Sequence, residues 1–185
     1  RPAGALKRGG EHAERITLDE SLIDNQAASS RRSAEREGGV DVLELDAALL
    51  PPVDFDPARR YPVWLPTYSG PDAPSVRNAW NPSSWYQFLA QNGVMVFQVN
   101  VRSASGKGQA VTESCARRLG VQELADLEDA LAWLCAHRSA DPARIGIWGV
   151  SLGGYYAPRA AAFEPRYAAC VAWGPHYDYH AVWQQ

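Results

Sequence analysis

The chain has 185 residues, of which 46% are apolar and 21% are charged, so it can bury one sizeable core but is short for two enzyme domains. Its formal net charge is only −3 and its basic residues are scattered, which excludes a strongly basic surface for nucleic acid or an anionic membrane. The three cysteines, Cys115, Cys135 and Cys170, are odd in number and widely spaced, which argues against a disulfide framework or a zinc site and predicts buried thiols.

The amino-terminal part is predicted to contain a polar segment and then the first strands. Residues 1–39 lack a sustained hydrophobic period, so we expect a linker or a disordered lead-in there and a folded domain over 40–185. From Val40 onward apolar residues alternate with acidic ones, which predicts a half-buried edge strand. The apolar run at 61–68 predicts a second, short strand.

The middle of the chain alternates between predicted helices and buried strands. A helix is expected around 84–92, with Trp85, Phe88 and Leu89 on one face. The nearly continuous apolar run at 94–101 is typical of a parallel strand that is covered on both faces.

A second group of alternating elements follows in the carboxyl-terminal half. Residues 119–137 carry leucines at helical spacing, with the acidic Glu123 and Asp126 on other faces, and predict an amphipathic helix. A buried strand at 145–149 precedes a small, alanine-rich helix at 153–163, and a last strand follows it at residues 168–173. Strands that alternate with helices in this way predict an α/β fold, with a mostly parallel sheet and helices on both faces.

The segment between the predicted strand at 145–149 and the following helix matches the pattern G-x-S-x-G, with Gly149, Ser151 and Gly153 at the defining positions. This pattern forms a sharp strand-to-helix turn that exposes a nucleophilic serine, and the glycines leave room for the backbone to turn. Gly154 lets the helix pack closely. A structural glycine-rich turn is the alternative, but the strand before and the helix after favour Ser151 as a nucleophile.

A serine nucleophile also needs a base, usually a histidine that a carboxylate orients. In α/β-hydrolases the acid and then the histidine follow the serine in the sequence, on loops after later strands. His176, Asp178 and His180 follow the last predicted strand, but we favour a solvated or pocket-wall position for them. We therefore expect a partial α/β-hydrolase fold, truncated before its last strands, with the acid and the histidine beyond Gln185.

Several segments resemble one known family. PPVDFDP at 51–57, TYSGP at 67–71 and NVRSASGKG at 100–108, together with the serine turn, are similar to the prolyl oligopeptidase family of serine peptidases. The likeness is greatest to its dipeptidyl-peptidase-like and acylaminoacyl-peptidase-like branches. It implies that Ser151 attacks a peptide carbonyl, that the Leu152 amide and the Tyr68 hydroxyl form the oxyanion hole, and that no metal or organic cofactor takes part.

The segment from Gly149 onward, with WGPHYDY at 173–179, also resembles the dihydropseudooxynicotine hydrolase-like branch of α/β-hydrolases. That branch cleaves a carbon–carbon bond next to a carbonyl, so the resemblance implies a different substrate on the same fold. Tyr177 and Tyr179 would lie near the serine and wall a specificity pocket. Packing under a further part of the protein remains open as an alternative for both tyrosines.

The sequence thus predicts a serine peptidase that cleaves a peptide or a small carbonyl substrate through an acyl-enzyme on Ser151. An esterase or a carbon–carbon hydrolase is the alternative enzyme, and an inactive hydrolase core that self-associates through an unpaired sheet edge is the non-enzymatic alternative. No apolar run approaches the roughly 20 residues of a membrane span, and the start lacks the basic-then-apolar order of a signal peptide. We expect a soluble protein without nucleic-acid or membrane partners, in a compartment that the sequence leaves open.

Overall fold

A computed structural model of the chain describes residues 12–17, 44–77, 79, 83–104, 106–174 and 178, with only the backbone described for 12–17 and 44. The strands are β1 (His12–Thr17), β2 (Glu44–Leu50), β3 (Tyr61–Thr67), β4 (Met95–Val99), β5 (Ala140–Val150) and β6 (Tyr167–Trp173). The helices are α1 (Ser84–Gln91), α2 (Gln109–Glu113), α3 (Gln122–His137) and α4 (Leu152–Phe163), with a 3-10 turn at Arg102–Ala104.

The strands form one sheet in the order β1-β2-β4-β3-β5-β6. Strand β3 lies parallel to β4 and to β5, and β5 lies parallel to β6. The pairs β1–β2 and β2–β4 are antiparallel. The predicted α/β fold with a mostly parallel sheet is therefore confirmed, and all strands from β3 onward end at the same edge, where α/β folds gather their functional residues.

Helices cover both faces of this sheet, as predicted. On one face, aliphatic side chains of the strands pack against α3 and α4 to form the main core, which includes Val63, Leu65, Ile145, Ile147, Leu127, Leu131, Leu134, Ala157 and Ala160. On the other face, Leu89 and Ala90 of α1 pack against Leu50 and Val96 in a smaller cluster. In the described part of the chain, no helix has both the length and the hydropathy that crossing a bilayer requires.

One prediction for the amino-terminal part was wrong, and it concerns β2. Residues 12–17, within the expected lead-in, form β1, which pairs with β2 through main-chain hydrogen bonds that need no apolar side-chain period. Strand β2 is consequently not an edge strand, and it is not half-buried, since Leu45 and Leu50 are only 0% and 4% exposed. The division of the chain into two parts at residue 40 stays a prediction.

Burial differs among the residues expected on one face of α1. Trp85 and Phe88 stack on each other, 5.5 Å apart, and remain about half exposed, whereas Leu89 is buried. The prediction of buried thiols needs correction. Of the three cysteines, all of them free thiols, only Cys115 is fully buried, and burial raises its pKa to about 12. Cys170 is exposed because it lies on β6, whose side chains are largely uncovered.

Candidate active site

Ser151 is the single residue between the end of β5 and the start of α4, and its backbone is unusual for a residue with a side chain. Its φ is 56° and its ψ is −118°, a conformation that costs a non-glycine residue roughly 1–3 kcal/mol. Two main-chain hydrogen bonds hold it there. Its N–H donates to the Trp173 carbonyl at 2.9 Å, and its own carbonyl accepts from the Gly154 N–H at 2.9 Å. The serine is exposed and its backbone is fixed from both sides.

Gly149 and Gly153 lie where the backbone leaves no room for a side chain. A Cβ at Gly149 would overlap the Gly153 carbonyl, and a Cβ at Gly153 would overlap the Thr67 carbonyl and lie 2.9 Å from Tyr68 Cα. Gly154, in the first turn of α4, is buried. The turn at Ser151 therefore requires both Gly149 and Gly153, and the second of them brings α4 against the end of β3.

Tyr68 follows β3 at the same edge of the sheet. The last residue of β3, Thr67, pairs with Gly149, so the residue after it lies beside the turn that carries Ser151. The Tyr68 ring lies over Gly70, where a Cβ would be only 2.9 Å from Tyr68 Cδ1. The structure thus brings Tyr68, Ser151 and the first residue of α4, Leu152, to one region, while the oxyanion role of Tyr68 and Leu152 stays a prediction.

The segment after Tyr68, residues 68–76, is called here the Tyr68 loop, and Asn100 holds its far end. The side-chain oxygen of Asn100 accepts from the N–H groups of Ser75 at 2.9 Å and Val76 at 2.8 Å, and its side-chain nitrogen donates to the Val76 carbonyl at 2.9 Å. Asn100 is not among the residues predicted from the sequence. The signal that points to it is a polar amide directly after the buried strand β4.

A buried ion pair lies next to this loop. The Asp126 carboxylate accepts from the Arg102 backbone N–H at 2.8 Å and from the guanidinium Nη2 at 2.5 Å. Although burial alone would lower the pKa of Arg102, its hydrogen bonds to Asp126 raise it. The sequence placed Asp126 on a polar face of its helix, but it is 0% exposed, because Arg102 supplies the charge and the donors that a buried carboxylate needs.

Glu123, one helical turn before Asp126 on α3, is also buried rather than solvated, at 1% exposed. Its Oε2 accepts from the Gly120 N–H at 2.9 Å. Burial raises the pKa of the Glu123 carboxyl above its usual range. Two carboxyl groups of α3 therefore face the interior next to the Tyr68 loop, a feature that the helical period of the sequence did not predict.

The predicted pocket residues Tyr177 and Tyr179 lie outside the described residues, as do His176 and His180. Asp178 is described and exposed. The self-association predicted at an unpaired edge also stays a prediction; at the described end of the sheet, β6 exposes Val171 to 44% and Trp173 to 67%.

A parallel sheet, a strained serine between a buried strand and a helix, and the two crowded glycines define an α/β hydrolase. The family model of the prolyl oligopeptidase family matches residues 80–185, which is more than half of the chain. The chain belongs to that family, as the resemblance implied. The matched range includes the segment after Gly149, for which the sequence also suggested a carbon–carbon hydrolase.

Relatives and solved structures are consistent with this assignment. The chain is 33% identical over 124 residues to prolyl endopeptidase FAP of Bos taurus, covering 66% of the chain and 16% of that protein. It is 36% identical over 109 residues to dipeptidyl peptidase 4 of Trichophyton equinum, covering 57% of the chain and 14% of that protein. The crystal structure of Porphyromonas gingivalis dipeptidyl peptidase 4 matches with a TM-score of 0.70 and 30% identity, covering 89% of this chain and 21% of that one. The chain therefore spans less than a quarter of the length of these relatives.

Proposed function

We propose that the protein is a serine peptidase in which Ser151 forms an acyl-enzyme with the carbonyl carbon of a peptide bond. The observation that carries the proposal is the exposed serine at φ 56°, fixed between the buried strand β5 and the start of α4 in a chain of the prolyl oligopeptidase family. A peptide substrate is supported by the names of the similar proteins, which include prolyl endopeptidase and dipeptidyl peptidase 4.

In the proposed reaction the Ser151 hydroxyl oxygen attacks the carbonyl carbon, and the carbonyl oxygen becomes an oxyanion. The backbone N–H of Leu152, at the start of α4, has no acceptor within its own helix and lies at the positive end of the helix dipole. It can donate to that oxyanion together with the Tyr68 hydroxyl. Collapse of the tetrahedral intermediate expels the amine, and water then releases the acid from the serine ester.

The proton that Ser151 loses needs a general base, which we assign to residues outside the described part of the chain. His137, the one histidine whose side chain is described, lies exposed at the end of α3, just before β5 begins. Ser151 follows the other end of that 11-residue strand, so the strand separates the two residues.

The test uses the full-length gene product that carries this chain and a fluorogenic peptide amide, with the matched ester in parallel. Ser151→Ala is expected to lower kcat/KM at least about a thousandfold on both substrates. The matched control is Ser84→Ala, which changes an exposed serine at the start of α1 and should leave turnover unchanged. Turnover of the amide that survives Ser151→Ala would refute the proposal, and turnover of the ester alone would favour an esterase.

A further inference from the structure

The Tyr68 loop rests on the 3-10 turn at Arg102–Ala104, and one buried residue of that turn contacts the loop twice. The Ser103 hydroxyl donates to the Ser69 carbonyl at 3.4 Å, and the Ser103 carbonyl accepts from the Asp72 N–H at 3.0 Å. Ser103 is 1% exposed. It therefore fixes the loop on both sides of Gly70, the residue against which the Tyr68 ring lies.

Asp126 in turn fixes the residue before Ser103. Its carboxylate binds the backbone N–H of Arg102 as well as the guanidinium, so it holds the main chain of the turn and not only a side chain. A buried ion pair of this kind contributes little net folding stability, because the loss of hydration offsets much of the attraction between the two charges. What the bonds to Arg102 do provide is one fixed backbone geometry for the turn.

We propose that Asp126 is a positioning residue for the hydrolytic reaction, acting through Arg102 and Ser103 on the placement of Tyr68. The inference rests on the proposed function, in which the Tyr68 hydroxyl donates to the oxyanion. Gly153 lies against Tyr68 Cα on one side, and the turn held by Asp126 lies against the loop on the other. Small misplacements of a catalytic group, of about 1 Å, can lower the rate about a hundredfold.

The variant Asp126→Asn puts an amide nitrogen where a carboxylate oxygen accepts from Arg102, so donor faces donor and the turn shifts. In the full-length gene product we expect kcat on a peptide amide to fall about 10- to 100-fold with little change in KM, because the oxyanion forms only after substrate binding. In a Tyr68→Phe background the same change should lower kcat less than about threefold, since the group it positions is already gone.

The matched control is Glu164→Gln, which breaks a second partly buried carboxylate–arginine pair, Glu164–Arg166 at 2.6 Å, just before β6. Its effect on kcat should be small and the same with and without Tyr68. Equal effects of Asp126→Asn in both backgrounds would overturn the proposal. If Asp126→Asn does not fold, Ser103→Ala is the second variant: it removes the hydroxyl that donates to the Ser69 carbonyl and also interacts with the Glu123 carboxyl. The same loss of effect in the Tyr68→Phe background is required of it.

A readout that does not use turnover separates this inference from the proposed function. The Asp72 amide donates to Ser103, so its hydrogen exchange in the folded protein reports whether the turn still holds the loop. We expect exchange at least tenfold faster in Asp126→Asn and unchanged in Glu164→Gln. Unchanged exchange in both variants overturns the positioning role, whereas turnover that survives Ser151→Ala refutes the peptidase assignment alone.

Discussion

At the carboxyl ends of β3 and β5 the chain turns through backbone conformations that side chains rarely adopt, whereas at their amino ends arginine side chains hold ordinary turns. Ser69, Asp72 and Ser151 have φ values of 52°, 54° and 56°. Such conformations cost free energy and persist only where the surroundings impose them. At this edge the surroundings are the glycine contacts and the buried bonds of Asn100 and Asp126.

The amino ends are stabilised by arginines that bind main-chain carbonyls. Arg60 donates to the carbonyls of Cys135 and Ala140 at 3.2 and 3.1 Å, and Arg144 donates to the Arg60 carbonyl at 3.1 Å. The bond to Cys135 satisfies a carbonyl group that the end of α3 leaves without a helical partner, and the other two bonds bind carbonyl groups where β5 and β3 begin. The comparison indicates that the carboxyl ends of the strands hold a fixed backbone geometry at a cost in stability, whereas the contacts at the amino ends contribute to stability.

The most severe test of this difference is Gly153→Ala. Because the new Cβ would overlap the Thr67 carbonyl, the variant must push the start of α4 away from β3, and we expect a loss of about 3 kcal/mol of unfolding free energy together with most of the turnover. Gly146→Ala is the control, since a Cβ there meets its nearest neighbour at 3.7 Å. Urea unfolding of both variants is the measurement, and equal stabilities would show that the crowding at Gly153 is not real.

Two tyrosines, one at each end of β3, allow the carboxyl and amino ends of the strands to be compared by mutation. Tyr68→Phe is expected to lower kcat about a hundredfold or more, equivalent to about 3 kcal/mol of transition-state stabilisation, with almost unchanged folding stability. Tyr61→Phe, at the amino end of β3, removes the acceptor of the Asp56 N–H at 2.8 Å and should cost about 1 kcal/mol of stability with normal kcat. Steady-state kinetics and thermal unfolding of both variants check the pair. A Tyr68→Phe enzyme with normal kcat would remove Tyr68 from the oxyanion hole.

The elements that were predicted correctly from the sequence are those whose own apolar side chains form a recognisable pattern. The continuous apolar run around Met95–Val99 and the leucine spacing of Gln122–His137 predicted β4 and α3 because burial of those side chains decides the structure. The G-x-S-x-G pattern likewise predicted the turn at Ser151, since its glycines are needed locally. In contrast, β1 pairs through its backbone and leaves no pattern in its residue types.

The buried charges could not be predicted for a related reason. Asp126 looks like a solvated residue of an amphipathic helix, and its partner Arg102 lies 24 residues earlier in the chain. Only the packing of α3 against the 3-10 turn that follows β4 brings the two together. For Asn100 the sequence offers only its position directly after β4, and it does not show that the side chain binds the Val76 backbone 24 residues earlier. Long-range polar contacts of this kind depend on tertiary structure rather than on local pattern.

At the amino end of β6, the ion pair of Glu164 predicts how the folding stability depends on pH. Burial alone would raise the pKa of Glu164, but its hydrogen bonds to Arg166 bring the pKa below its usual value. The folded protein then binds the proton less tightly than the unfolded chain. The stabilisation is therefore present above the unfolded pKa of about 4.3 and is lost as the pH falls through the folded pKa.

Glu164→Gln should accordingly be less stable than the wild type by about 1 kcal/mol at pH 7, and this difference should shrink as the pH falls from about 5 to about 3. Urea unfolding at several pH values is the measurement. Glu113→Gln, on the exposed face of α2, is the control and should follow the wild-type curve. A constant difference between Glu164→Gln and the wild type at every pH would mean that the ion pair with Arg166 does not form.

The smallest expected effect addresses the strain at Ser151 directly. Ser151→Gly and Ser151→Ala both remove the nucleophile, but only glycine adopts φ 56° and ψ −118° without strain. Glycine also makes the unfolded chain more flexible, which offsets part of the gain, so we expect Ser151→Gly to be more stable than Ser151→Ala by about 1 kcal/mol. The same pair at Ser84, the first residue of α1, should show the opposite order, because glycine is the poorer helix former. Urea unfolding of the four variants is the measurement. If the glycine variant is less stable than the alanine variant at both positions, the backbone at Ser151 is not strained. The carboxyl ends of the strands would then lose no stability by exposing the serine.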